Sequence, residues 1–100
     1  MKELFDQYAE AVCSVYHVTS EELFTKGKRR DITDARHLLY YLCNDRGLRV
    51  MTVMRYMKDS GYDTEHRSIC YGISQIAKRI LSDGDLRHIA NTVHSKVNFK

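Results

Sequence analysis

The side chains best equipped for chemistry in this sequence fall in two clusters. Lys26, Lys28, Arg29, Arg30 and Arg36 place five cations within 11 positions, and the stretch Lys26-Gly27-Lys28-Arg29-Arg30-Asp31 has no apolar residue to bury. Cations at that density suit phosphate oxygens, because each contact releases a condensed counterion and adds a salt-dependent, sequence-independent increment of affinity. The competing reading is a solvated basic surface. The second cluster is Glu65, His66, Arg67 and Ser68, with Tyr71 one turn further on. An arginine can grip O6 and N7 of a guanine, a serine can bond to base edges or phosphates, and a carboxylate can accept from a cytosine amino group.

Other chemistries lack their residues. A GxxxxGK phosphate loop would need glycine five positions before Gly27, where Glu22 stands. No CxxC or HExxH occurs, and His66 with Cys70 supplies two metal ligands where zinc needs four. A chain of 100 residues reading as helices leaves little depth for a substrate pocket, so neither an enzyme nor a metal or other cofactor is expected. The three cysteines, Cys13, Cys43 and Cys70, are an odd number at wide spacing, and residues 1–10 lack a basic start followed by an apolar run. A reduced, cytoplasmic protein is expected. No stretch approaches the roughly 18 unbroken apolar residues of a membrane span.

The elements that must position the two clusters are helical. Proline is absent and only five glycines occur, so the strongest helix breakers are missing or sparse. Leu4, Tyr8, Ala11, Val12 and Val15 predict a helix over 2–17, and Thr19 with Glu22 forms a capping-box pattern opening a short second helix through Phe24. Thr33 is the expected cap of a third, with the stripe Ala35, Leu38, Leu39, Leu42 and Gly47 past its end. Val50, Val53, Met54 and Met57 predict a fourth helix. After a turn around Gly61, the stripe Ile69, Ile73, Ile76, Ala77, Ile80 predicts a fifth from about 64 to 81. Asp83-Gly84-Asp85 breaks it before a sixth carrying Leu86, Ile89, Ala90, Val93 and Val97. The reading is one all-α, compact domain of five to six helices spanning 1–100, whose fourth and fifth helices form a candidate helix-turn-helix.

Within the fifth helix, Arg67 lines up with Tyr71, Ser74 and Lys78 opposite the apolar stripe and is expected to be exposed. His66 shares the sector of Ile69 and Ile73, which points to partial burial, whereas a place in the first turn would let it project beyond the core. Tyr40 and Tyr41 are expected at the core and its edge. Charge is uneven: residues 1–25 carry one lysine against five acids, and residues 26–100 carry 15 Lys or Arg against eight acids. The second segment is the one suited to a polyanion.

Four stretches resemble the DNA-binding C-terminal domain of the bacterial replication initiator DnaA, a helix-turn-helix of the Trp-repressor type. VCSVYHVTSEEL at 12–23 is similar to the family's opening helix, tyrosine and short second helix, and KGKRRDITDAR at 26–36 to its basic loop running into an arginine. LLYYLCNDRGL at 38–48 is similar to the following apolar helix, and EHRSICYGISQI at 65–76 resembles the acidic-His-Thr-Thr-aliphatic signature of the recognition helix. The resemblance spans about residues 5–92. It implies binding to double-stranded DNA, with Lys26, Lys28, Arg29, Arg30 and Arg36 on phosphates or in a minor groove and Glu65, His66, Arg67, Ser68 and Tyr71 at the major groove.

The departures bear on specificity. Arg67 and Ser68 stand where the family has two threonines, and Lys28 stands where it places a minor-groove arginine. The turn before the fifth helix is about three residues longer, and the family's glycine in the fourth helix is missing. No counterpart of the initiator's nucleotide-binding domain is expected, which suggests an independent module such as a phage or mobile element carries. The rival reading is a protein-interaction module that modulates a host replication initiator or helicase, supported by the acidic first helix. A weaker one is attachment to an anionic membrane through a basic amphipathic surface.

Calorimetric titration with ATP and metal analysis of the purified protein should show neither saturable nucleotide binding nor stoichiometric zinc; either one would overturn this reading of the missing motifs.

Overall fold

The computed structural model describes residues 2–27 and 29–97; Lys28 lies outside the described residues. Six helices follow one another: α1 Lys2–Tyr16, α2 Ser20–Leu23, α3 Arg30–Asp45, α4 Val50–Asp59, α5 His66–Ser82 and α6 Gly84–Lys96. No strand occurs among the described residues, and the all-α architecture is the expected one. None of these helices is long and apolar enough to cross a membrane.

Helix α3 is the axis of the domain, packing against each of the other five helices. It buries Ile32, Ala35, Leu38, Leu39, Tyr40, Leu42 and Cys43, and each large apolar side chain so removed from water contributes roughly 1.5–3 kcal/mol. The helix starts at Arg30, three residues before the expected cap Thr33. Arg29 is the capping residue in extended conformation and makes no side-chain cap bond. The first turn is held instead by Asp31, whose Oδ1 accepts from the Ile32 amide at 2.9 Å, and by burial of Ile32, which extends the stripe three residues upstream of Ala35.

The remaining boundaries depart less. The Thr19 capping box forms in full, with Thr19 Oγ1 accepting from the Glu22 amide and Glu22 Oε1 from the Thr19 amide. Helix α5 begins at His66 because Glu65 is still extended. The break before α6 narrows to Asp83, which ends α5 and caps α6 by accepting from the Leu86 amide at 3.1 Å. Helix α1 is tied to α6 by the Tyr8 hydroxyl, which accepts from Arg46 Nη1 at 3.1 Å and bonds His94 Nδ1 at 2.6 Å; Nε2 of that ring meets Asp45.

Helices α3 and α5 meet at Gly72. A Cβ built there would stand 2.8 Å from Cδ2 of His37 and 3.0 Å from Cδ2 of Tyr40, so only glycine lets the α5 backbone settle onto these two rings. Overpacking of this kind typically costs about 1–3 kcal/mol. Chemical denaturation should show Gly72→Ala destabilised by about that amount, while Gly84→Ala, where nothing lies within 4 Å, should be neutral or slightly stabilising. Equal effects at the two sites would contradict the close approach.

Candidate nucleic-acid interface

Arg36, expected among the phosphate-gripping cations, is buried at 4% exposure. Its Nε donates to the Leu23 carbonyl at 2.8 Å and its Nη2 to the Thr25 carbonyl at 2.6 Å, while the guanidinium plane lies 4.5 Å from the Tyr62 ring centroid. A side chain so occupied is a clamp: it fixes the chain leaving α2 and stacks on the turn before α5. The expectation of a phosphate contact is therefore revised to an organising role.

Tyr62 is delivered to that position by the end of α4. Gly61 adopts φ +99°, a conformation that costs other residues energy, and the amides of Gly61 and Tyr62 turn back to the carbonyls of Lys58 and Met57. This is the Schellman closure, which turns the residue after the glycine inward. Lys26 completes the junction: its Nζ donates to the Asp63 carbonyl at 2.7 Å and stands 4.8 Å from the Tyr62 ring centroid. The loop after α2 and the turn before α5 are thus fastened together by two cations across one aromatic ring.

Between them runs an open groove of about 720 Å³. Lys26 and Gly27 form one wall, Arg67, Ser68 and Tyr71 of α5 the other, and Thr33, His37 and Tyr40 line its floor. Burial raises the Tyr40 phenol far above its ordinary range, and Thr64 lines the groove with it. Burial also pushes the His37 imidazole below its ordinary range, against the opposing pull of Asp34. Tyr71, itself 59% exposed, meets His37 edge-on with centroids 5.9 Å apart.

The other expected residues are distributed around this groove. Arg67 and Ser68 are exposed on its wall, and Glu65 lines it as the residue capping α5. Of the two readings of His66 the exposed one holds: it stands at the first position of α5, with Nδ1 3.6 Å from Cys70 Sγ, and it does not line the groove. Arg29 is exposed but already paired, with Nη1 2.9 Å from Glu22 and Nη2 2.8 Å from Asp31. Arg30 is the freer cation, its side chain 91% exposed and only 4.0 Å from Asp34.

Sequence reasoning passed over His37, Tyr62 and Thr64, which lie between the two clusters, and the cations of α4. Arg49, Arg55 and Lys58 have no acidic partner among the described residues. Arg55 and Lys58 share a second hollow with Asp63 and Thr64, so unneutralised positive charge continues from the groove along α4. Arg55 and Lys58, three apart and off the Val50, Val53, Met57 stripe, were the available signal, while Arg49 stands at the N-cap of α4.

No family model matches the chain. It is similar to the chromosomal replication initiator protein DnaA of Leptospira biflexa serovar Patoc, being 24% identical over 95 residues, which is 95% of this chain, to the protein from strain Patoc 1 / Ames and equally to that from strain Patoc 1 / ATCC 23582 / Paris. The chain spans 21% of the length of these relatives. The distant homology and the six-helix fold agree with a helical domain like the C-terminal one of DnaA.

If Arg36 clamps the junction, Arg36→Met should cost about 3 kcal/mol, since two carbonyls lose charged donors. Arg36→Lys should recover only part, because an ammonium cannot span both carbonyls and stack. Amide exchange over residues 23–27 should quicken in both. A loss below about 1 kcal/mol with unchanged exchange would contradict the clamp.

Proposed function

We propose that this chain is a non-enzymatic module that binds double-stranded DNA, acting in replication initiation or its regulation. In this reading α4, the turn at 60–65 and α5 work as a helix-turn-helix, with the first turn of α5 in the major groove. The observation that carries it is the groove itself: one open channel of about 720 Å³ is lined by Lys26, Arg67 and Ser68 together. With one sugar-phosphate strand seated in it, α5 faces base edges on one side and the loop at 26–30 faces the adjacent minor groove on the other. Phosphate contacts supply most of the affinity and base contacts the selectivity.

Arg67 is the principal base reader in this account. It is exposed at the second position of α5 and bears no ion pair among the described residues, and a bidentate grip on guanine is the strongest base contact open to it. Ser68 and Glu65 lie beside it. A second reading, as a protein-interaction module for a replication initiator or helicase, rests on the exposed acids Glu3, Asp6 and Glu10 of α1.

Selection from a random duplex library should return a site with a guanine beneath Arg67. Arg67→Ala should cost about 1–3 kcal/mol on that site and relax the preference at one base pair. An unchanged site with unchanged stringency would remove Arg67 from base reading. With about four phosphates held, log affinity should fall against log salt with a slope near −3.6, and Arg30→Ala should flatten it by about 0.9. Arg29→Ala should change it less, because Glu22 and Asp31 already neutralise that side chain. An unaltered slope in Arg30→Ala would take the start of α3 out of the interface.

A further inference from the structure

His37 occupies the groove floor in an unusual state for a half-buried histidine. Its Cδ2 edge is pressed against the α5 backbone at Gly72. Neither ring nitrogen has a hydrogen-bond partner among the described residues, and no described polar side-chain atom is both sealed from solvent and unpartnered. Neither nitrogen is therefore sealed from solvent, and the ring lines the groove.

The surroundings hold the imidazole neutral while the groove is empty. On α3, Asp34 favours the cation and Arg36 opposes it; on α5, Arg79 opposes it. Asp34 is already shared with Arg79 at 3.5 Å and Arg30 at 4.0 Å, which dilutes its pull. The rings of Tyr40 and Tyr71 exclude water on two sides. Across the groove stand Lys26 and Arg67 as further cations, with Asp63 and Glu65 as acids of the turn. A phosphate diester entering this space brings a negative charge beside an imidazole with free nitrogens, and an opposite charge within about 4–6 Å favours the protonated form.

We infer that His37 is a proton-coupled phosphate ligand, neutral in the free protein and protonated as a DNA phosphate enters the groove. The proton comes from solvent, and the imidazolium donates an N–H to a phosphate oxygen. No covalent bond changes. The inference rests on the DNA-binding reading above and adds to it that binding takes up a proton. Because the bound state then holds more protons, affinity rises as pH falls. His88 is the internal control: it is exposed on α6 and does not line the groove.

The test is calorimetric titration of the whole chain with its selected duplex, in two buffers of different protonation enthalpy, between pH 6 and 8. Wild type should bind about five- to tenfold more tightly at pH 6 than at pH 8, which corresponds to uptake of about half a proton averaged over the range and more toward its acid end. His37→Gln should take up none and change less than about twofold, whereas His88→Gln should keep the wild-type response. Should His37→Gln fail to fold, the imidazole resonances of wild-type His37 decide alone: their titration midpoint must move to higher pH when duplex is added. Binding without proton uptake, or uptake that survives in folded His37→Gln, overturns the role of His37 and leaves the DNA reading standing. No duplex binding across the range overturns both.

Discussion

The guanidinium of Arg36 is the constraint on which the candidate site depends. One buried cation holds two carbonyls of the chain leaving α2 and lies against Tyr62 just before α5. Without it the basic loop and the reading helix would be two separate features of the surface. With it they are opposite walls of one groove, at a spacing set by the width of a tyrosine ring and two short hydrogen bonds. A buried charge is tolerable only when its donors are satisfied, and here the satisfying acceptors are backbone carbonyls that the loop geometry itself supplies. Loop and clamp therefore stabilise each other.

The second constraint is the close approach of α3 and α5. Gly72 removes the one Cβ that would hold the helices apart, and the space is filled by His37 and Tyr40, whose other edges face the groove. Core packing and site chemistry thus share residues. His37 is pressed into place by the contact at Gly72, and Tyr40, buried in the core, lines the groove with Thr64. Charge follows the same division: acids close to α3 and the loop neutralise Arg29 and Arg79, while Arg67 and the cations of α4 keep their charge for solvent or a ligand.

Much of the fold was legible in the residues. The stripes of α1, α4 and α5, the Thr19 box and the glycine closures after α3 and α4 are local signals, and local signals set helix positions. Legibility failed where tertiary contacts decide. Thr33 has the chemistry of a cap, yet burial of Ile32 and the Asp31 carboxylate start α3 a turn earlier. For His66 the helical angle and a first-turn position pointed opposite ways, and only the start of α5 at that very residue decides for exposure. Arg36 sits in a basic run and reads as a surface cation; only the path of the chain after α2 brings carbonyls to it. His37 carried no signal, since its meaning arises from Gly72, a residue 35 positions away.

The most direct test of the central claim, that a sugar-phosphate strand lies in the groove joining the loop and α5, is an amide and side-chain NMR titration of the isotope-labelled chain with a short duplex carrying the selected site. Perturbations are expected to concentrate at residues 26–30, 36–37, 62–68 and 71, strongest at the Arg67 side chain, with the acidic face of α1 unaffected. Perturbations confined to α1, or scattered evenly over the basic surface without focus on the groove, would contradict it.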